Sequence, residues 1–456
     1  MKNRVCIIGG GPVGSSLGVV LRRRGYDVTI YERYADIRKA SVSAGRSINL
    51  VLTKRGLRLA HELNLEDELK KFVVKVEGRC IHPLEGDAFS QAYGLSGECN
   101  YSINRSLLNR FWVTQADKEG CEFRFEHALQ SMTTGPDAKL VFTSPEGEII
   151  LAKSKSFDYV FGCDGGGSVV RNCLAKAGLL HSQETPLPSV YKEVVFPANA
   201  DGSYCLDPNL LHIWPRSGHM LMALANTDGS FTGTVFMDPA VASIDTDSDA
   251  LQYLQTYYQT ALDVLTPAQV DVTVKNLVTY KKGTLGTVRC HPWLVDSVLL
   301  LGDAAHGIVP FFGQGVNCGF EDVVVLDKLI AKNSDLEVAM IEFANVRKTD
   351  TDAIASLALE NFDEMQSHVV DEEFLKLKKI ESFIMTTFPL IYRNRYTMVM
   401  YSYNPYSVCQ AMGEVQKKFL KLVAETVDDL EKDVIEKLIH THITPVAKQL
   451  GVSFSF

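Results

Sequence analysis

VCIIGGGPVGSSLGVVLRRRGYDVTIYER runs from Val5 to Arg33 and sets the fold of the N-terminal part of this chain. Val5–Ile8 is a short apolar run bounded by glycines, the pattern of a buried strand. Gly9, Gly11 and Gly14 follow at G-x-G-x-x-G spacing. In a strand–turn–helix unit the first glycine permits the tight turn. The second lets the backbone approach a pyrophosphate, and the third lets the helix pack closely on the strand. Pro12 suits a first helical turn, where no N–H is needed. The helix is predicted to run to about Arg24, with Gly25 as its stop. A second strand, Val28–Tyr31, then ends at Glu32, 18 residues after Gly14. A carboxylate at that place can accept a hydrogen bond from a ribose 2′-hydroxyl. The segment predicts a dinucleotide-binding β-α-β unit; the alternative is a β-α-β of purely structural role. Glu32 would repel a 2′-phosphate, so NAD or the ADP half of FAD suits this unit better than NADPH.

The rest of the chain sets bounds. Its 456 residues predict two or three domains. A net charge of −9 argues against a nucleic-acid partner. The 10 cysteines include no C-x-x-C pair, and Cys6, Cys80 and Cys163 sit in apolar runs. They read as reduced thiols packed as small hydrophobes inside a cell. No Cys/His spacing suggests a metal, and His440-Thr441-His442 reads as a surface pair, so no metal is expected. The chain goes straight into a strand, which leaves no room for a signal peptide. No apolar run is long enough for a membrane span; Phe383–Met400 comes nearest, and Arg393 and Arg395 interrupt it.

Two further segments decide between NAD and FAD. FDYVFGCDGGGSVVRNCL, Phe157–Leu174, reads as a buried strand, an Asp164-Gly165 turn and a helix with Arg171 near its start. LLLGDAAHGIVPFFGQGVNCGFED, Leu299–Asp322, reads as a strand that stops at Gly302-Asp303, a Pro/Phe/Gly loop and a helix. With the fingerprint, these resemble the three ordered motifs of the FAD-dependent aromatic-ring hydroxylases, the single-component class A flavin monooxygenases. The resemblance implies an α/β fold: a Rossmann-type FAD domain like that of para-hydroxybenzoate hydroxylase, an antiparallel-sheet substrate domain and a C-terminal helical region. It implies that Asp303 accepts a ribityl hydroxyl and that Pro310 lies beside the flavin ring. Gly315, Val316 and Asn317 would offer N–H groups to the flavin at a helix start, where the helix dipole favours negative charge. Arg105, after the predicted N-cap Asn104, would contact FAD; the alternative is a surface cation. Gly9, Gly11, Gly14, Glu32, Arg33, Val51, Leu129 and Asp164 complete the implied cofactor set. Only one dinucleotide fold is visible. NADPH would dock transiently in a groove, with Asp164 and Arg171 implicated by resemblance alone.

A tighter resemblance is to the kynurenine-hydroxylating branch of that family. It rests on GRSINLVL (Gly45–Leu52), EGRCIHPLEG (Glu77–Gly86), QAYG (Gln91–Gly94), YSINRSLLN, LLHIWPR (Leu210–Arg216), MLMALANTDGSFTGTVF (Met220–Phe236), VPFFGQGVNCGFED (Val309–Asp322) and ALENFDEM (Ala358–Met365). The similarity spans residues 1 to about 405. It implies L-kynurenine as substrate, within tryptophan degradation and NAD biosynthesis. A carboxylate needs a cation that binds both oxygens, as Arg does. Arg79 matches the carboxylate-binding Arg and Tyr93 the Tyr beside it. Asn361 and Tyr396 match the remaining polar contacts, and Glu364 lies one helical turn after Asn361. Arg79 could instead sit on a strand edge, Tyr93 could be a core aromatic, and Tyr392, Tyr401 and Tyr403 rival Tyr396. Met222, Phe236 and His306 read as structural.

The implied chemistry is NADPH reduction of FAD, reaction with O2 to a C4a-hydroperoxyflavin, and oxygen transfer to the ring carbon ortho to the amine. No side chain need act as acid or base. The expected FAD domain is discontinuous: 1–180, with 76–99 lent to the substrate site, and 275–335. Residues 181–274 would form an antiparallel sheet and 336–456 a helical region. Eukaryotic members carry a C-terminal membrane anchor. This sequence ends EKLIHTHITPVAKQLGVSFSF, so a cytoplasmic monomer or homodimer is expected. The rival readings are a hydroxylase of another aromatic acid, or an FAD oxidase or reductase without ring hydroxylation.

Overall fold

The computed structural model describes residues 3–39, 48–135, 137–152, 156–240, 244–367, 372–426 and 430–454, with the side chains of 363–367, 372, 374 and 375 excepted. Gly45–Ser47 of the GRSINLVL stretch and the side chain of Glu364 lie outside the described residues.

Arg4–Ile8 is the centre of a six-stranded sheet. It pairs in parallel with Asp27–Glu32 on one side and Tyr159–Gly162 on the other. Val298–Leu300 extends the sheet in parallel beyond Tyr159–Gly162. The strands of all three motifs therefore end at the same sheet edge, where an open α/β sheet binds its ligand. The intervening helix is Pro12–Arg23, and Gly25 follows it at φ +89°. Val5, Cys6, Ile7, Ile30, Phe161 and Leu299 are fully buried beneath it, as expected of a parallel sheet covered on both faces.

A second, seven-stranded sheet runs Gly283–His291, His181–Phe196, Phe231–Met237, His219–Ala225, Leu210–Arg216, Gly78–Ile81, Phe89–Ala92. It is mixed rather than purely antiparallel, because Gly78–Ile81 pairs in parallel with Leu210–Arg216. It also recruits Gly283–His291, which sequence placed with the FAD domain. The pairing of that strand with His181–Phe196 breaks between Pro186 and Val190, where prolines cannot donate to the ladder.

The block 181–274 is not all strands. Asp247–Leu262 and Pro267–Thr279 are helices. Each is opened by a capping box, Thr246 with Asp249 and Thr266 with Gln269; the second is the S/T-x-x-E/Q signal and the first its Asp counterpart. They cover the outer face of the second sheet around Trp214, Phe231 and Tyr258. A third core joins Phe236, Phe311, Phe312 and Phe362 to the C-terminal helices Leu336–Ser367, Glu372–Thr387, Arg395–Tyr401 and Tyr406–Thr426. Among the described residues no helix is long and apolar enough to cross a membrane.

Candidate active site

The first turn is built by close approach. Gly9 has φ +105°, and a Cβ there would lie 2.4 Å from the Cys163 carbonyl oxygen. A Cβ on Gly14 would lie 2.0 Å from the Gly9 oxygen. Over Gly11, by contrast, no protein atom lies within 4 Å of the added carbon. The turn is thus packed from below and open above, the shape of a pyrophosphate cradle. Glu32 reaches back over it: one carboxylate oxygen accepts from the Gly10 N–H at 2.8 Å and the other from Tyr34 N–H at 2.9 Å. Each oxygen retains a lone pair for a ribose hydroxyl. Arg33 donates to the Asp164 carbonyl at 3.2 Å, joining the second strand to the second motif. Leu129 is buried on the strand Ala128–Met132.

Asp164 opens the second turn. Its Oδ2 accepts from Val169 and Val170 N–H at 2.7 and 3.2 Å, while Oδ1 is buried without a partner. Burial pushes this carboxyl up, against hydrogen bonds from Ser168 and the backbone. Arg171 corrects an expectation. It is fully buried and donates to the carbonyls of Ala304 at 3.0 Å and Gly166 at 2.5 Å, and it pairs with Glu184 at 2.5 Å. It clamps the second motif to the third; it does not line a groove open to NADPH.

The third motif provides the other end. Asp303 is exposed between the buried residues Gly302 and Ala304. Pro310–Phe312 is a 3-10 turn closed by Gly313 at φ +63°. The helix Gly315–Asn333 then starts with no side-chain cap and no acidic residue in its first turn. A Cβ on Gly315 would meet nothing within 4 Å. A 19-residue helix therefore presents unsatisfied N–H groups and the positive end of its dipole to open space. Val316 is half-buried. The Asn317 side chain is not part of that opening. It donates to the carbonyls of Val51 at 2.8 Å and Gly313 at 2.7 Å and accepts from Thr53 N–H at 2.9 Å, stapling the strand Asn49–Leu52 to the loop. Arg105 begins the helix Arg105–Lys118, and Asn104 caps it by accepting from Ser106 and Leu107 N–H at 3.0 and 3.3 Å. Its side chain is exposed. The packed turn, the carboxylates of Glu32 and Asp303 and the uncapped helix fit an extended dinucleotide with an electron-rich ring at its far end.

The putting together of the polar substrate residues is partial. Arg79 lies on Gly78–Ile81, half-buried, and its Nε donates to Gln91 across the hairpin at 2.9 Å. Its two terminal nitrogens make no hydrogen bond among the described residues. Tyr93 and Tyr396 stack at 5.6 Å, and Tyr396 meets Phe312 at 5.9 Å. Burial raises both phenols far above their ordinary range, opposed by the Arg79 charge. Both hydroxyls therefore stay protonated and can donate. Of the rival tyrosines, Tyr392 is buried against Phe419 and Tyr403 lies exposed over Arg58. Asn361 stands apart in chemistry: its amide donates to the Phe311 carbonyl at 2.7 Å, so it supports the loop. Met222 and Phe236 pack in the third core beside Tyr93, Tyr396 and the loop phenylalanines.

Sequence reading missed the charge network under this loop. Arg347 donates to Asp322 at 2.7 Å and ion-pairs with Glu321 at 2.8 Å. Glu321 also pairs with Arg55 at 2.6 Å, and Arg55 lies over the Tyr406 ring at 4.2 Å. His306 bonds Asp322 at 2.6 Å, and Asp322 also accepts from Gly302 N–H at 3.0 Å. Burial opposes the imidazolium, yet Asp322 beside it raises His306 well above its usual range. Tyr406 donates to Gln314 at 2.9 Å. Five buried ionisable groups thus fix the floor of the Gly302–Gly315 segment.

The FAD binding domain family matches residues 2–335 of the chain. The chain is 36% identical to kynurenine 3-monooxygenase of Myxococcus xanthus over 99% of its own length and 98% of the relative's. It is 38% identical to the kynurenine 3-monooxygenase of Flavobacterium psychrophilum, covering 94% and 95% of the two chains. It is 36% identical to that of Candida albicans, covering 88% of each. Among solved structures, 2-methyl-3-hydroxypyridine-5-carboxylic acid oxygenase superposes with a TM-score of 0.66 at 18% identity, over 82% of this chain and 95% of that one. Pseudomonas aeruginosa PqsL, in complex with 2-aminobenzoylacetate, gives 0.65 at 20% identity, over 80% and 97%. These two likenesses establish the fold. Full-length identity and the FAD-binding domain together place the chain in the kynurenine 3-monooxygenase family of flavin monooxygenases.

Proposed function

We propose that this enzyme hydroxylates L-kynurenine ortho to its ring amine, with NADPH as reductant and O2 as oxygen donor. One oxygen atom enters the product and the other leaves as water. Bound FAD supplies hydride acceptance and oxygen activation. Gly9, Gly11, Gly14 and Glu32 hold its ADP half, with Arg33, Val51, Arg105, Leu129 and Asp164 along its length. Asp303, Pro310, Gly315, Val316 and Asn317 hold the ribityl and ring end.

The observation that carries the reading is Arg79. A half-buried guanidinium with both terminal nitrogens open is suited to a bidentate carboxylate. Tyr93 stacks on Tyr396 and Tyr396 meets Phe312, and on this reading a substrate anchored at Arg79 runs its aromatic ring along them toward the open start of the Gly315–Asn333 helix. The phenols donate to the amino-acid end, while Phe311, Phe312 and Phe236 exclude water around the ring. Asn361 holds the Phe311 carbonyl and so the loop; Glu364 is assigned to the amino group from its place in the sequence alone, one helical turn after Asn361. The substrate's own amine makes its ring electron-rich, and no protein base is required.

The test is NADPH consumption in air with and without L-kynurenine, with the product identified by mass. Strong stimulation and a product heavier by one oxygen are expected. Stimulation without that product would make kynurenine only an uncoupling effector. No stimulation of a yellow protein would overturn the substrate assignment.

A further inference from the structure

Two groups of three metal-ligand side chains occur among the described residues: Cys80, His82 and His212, and His306, Cys318 and Asp322. They differ in what stands among them. In the second, Arg347 already supplies the cation, 2.7 Å from Asp322 and 3.4 Å from the Cys318 sulfur. In the first, among the described residues, no charged side chain makes a hydrogen bond or ion pair to a ligand atom. The neighbouring Arg216 is held away by the carbonyls of Tyr257 at 2.7 Å, Pro215 at 2.6 Å and His82 at 3.0 Å.

The first group is a product of sheet register. Cys80 and His212 are direct partners across the parallel pair, and His82 is two residues beyond Cys80 on the same face. Their ligand atoms lie within 4.8 Å of one another. Tetrahedral Zn(II) with bonds of about 2.0–2.3 Å asks for about 3.3–3.6 Å between ligand atoms, so the two imidazole nitrogens, 2.9 Å apart, part by about 0.4 Å to admit the ion. The two rings are also aimed. His212 Nε2 lies 2.9 Å from the Asp207 carbonyl, which can only accept, so that nitrogen carries the proton. Its Nδ1 then offers a lone pair to His82 Nε2, 2.9 Å away. A backbone carbonyl fixing the far nitrogen is the usual support of a metal-binding histidine. His82 is fixed in turn by stacking on Trp214 at 4.2 Å and 9°. Burial holds both imidazoles below their usual pKa, His82 at about 4, with the His212 ring and the Arg216 charge also lowering His82. Both rings are therefore neutral ligands at neutral pH. Ser90, the register partner of Cys80 on its other side, is exposed, so an ion and a water as fourth ligand have a path in.

We propose that Cys80, His82 and His212 form a binding site for one Zn(II)-class cation, which staples the strand carrying Arg79 to the strand Leu210–Arg216. Binding moves the His82 proton from Nε2 to Nδ1 and releases the Cys80 thiol proton to solvent, one proton per metal. The site is distinct from the dinucleotide turns, and its test does not depend on the hydroxylation reading.

The FAD-loaded enzyme, first stripped with a chelator, is dialysed against Zn(II) and the metal's X-ray absorption recorded. One Zn(II) per chain is expected, with one sulfur at about 2.3 Å and two nitrogens at about 2.0 Å. Cys80→Ser and His82→Phe, the latter keeping a ring on Trp214, should each weaken uptake by more than the about 10–100-fold typical of losing an outer-shell partner. An unchanged flavin spectrum in the variants shows that they are folded. Sub-stoichiometric uptake, a shell of oxygen and nitrogen alone, or Zn(II) affinity unchanged in Cys80→Ser would overturn the proposal.

Discussion

Arg79 and Arg347 are opposites in how far the chain's own groups satisfy them. Arg347 is 2% exposed and directs its guanidinium at Asp322, Glu321 and the Cys318 carbonyl. Arg79 is half-buried and makes one hydrogen bond, to Gln91. A buried charge is stable only when fully partnered. An arginine saturated by its own chain is architecture, whereas one held in place by a single bond with its fork open is suited to a carboxylate ligand. The difference gives the proposed site its direction: the network around Arg347 is closed by protein, and the open fork of Arg79 is where we propose that substrate binds.

Mutation of each arginine should separate the two roles. Arg347→Met strips one partner each from Asp322 and Glu321 and should cost about 3–5 kcal/mol of stability, read as a lower unfolding midpoint in urea. If Arg347→Met unfolds like the parent, the network is not a structural floor. Arg79→Ala should leave stability and flavin content unchanged while raising the KM for L-kynurenine by about 10–150-fold, the equivalent of about 1.5–3 kcal/mol for a charge-assisted contact. Flavin loss in that variant would assign Arg79 to structure.

His306 gives the floor a pH signature. Its folded pKa is raised, so its contribution is fully present below the unfolded value of about 6.5 and is lost as pH rises through the folded value. Asp322 runs the other way, its pKa held down by His306 and Arg347 against burial, and its contribution is lost only in acid. Above neutrality the parent should therefore lose stability relative to His306→Asn, with a slope of at most about 1.4 kcal/mol per pH unit. Parallel stability–pH curves for the two proteins would show His306 to be neutral in the fold. The smallest effect is expected at Tyr396→Phe, which keeps the stack on Tyr93 and removes one donor. We expect about 1 kcal/mol, a roughly five-fold rise in KM, with unchanged stability. A larger loss of stability than of binding would make the Tyr396 hydroxyl a core group.

Local chemistry was legible in the sequence, and long-range pairing was not. Gly9, Gly14 and Glu32 lie within one β-α-β unit, and Asn104 caps the helix that begins at the next residue, so spacing alone found them. Arg55 and Glu321 are partners across 266 residues, and nothing near either residue announces the other. Arg171 was recognisable as a motif residue but not as a buried clamp, since burial depends on Ala304, 133 residues later. Cys80 and His212 meet only through the register of a parallel pair. The helices Asp247–Leu262 and Pro267–Thr279 are a different matter: their capping boxes were present in the sequence, and the apolar strands before them drew the reading away.

The most direct measurement is discrimination of a carboxylate. L-kynurenine and the same molecule lacking its carboxylate are titrated into parent and Arg79→Ala, and binding is followed by the change in flavin absorbance. We expect the parent to prefer the carboxylate form strongly and Arg79→Ala to bind the two alike. If Arg79→Ala still prefers the carboxylate as the parent does, Arg79 is not the receptor and the open fork has another purpose.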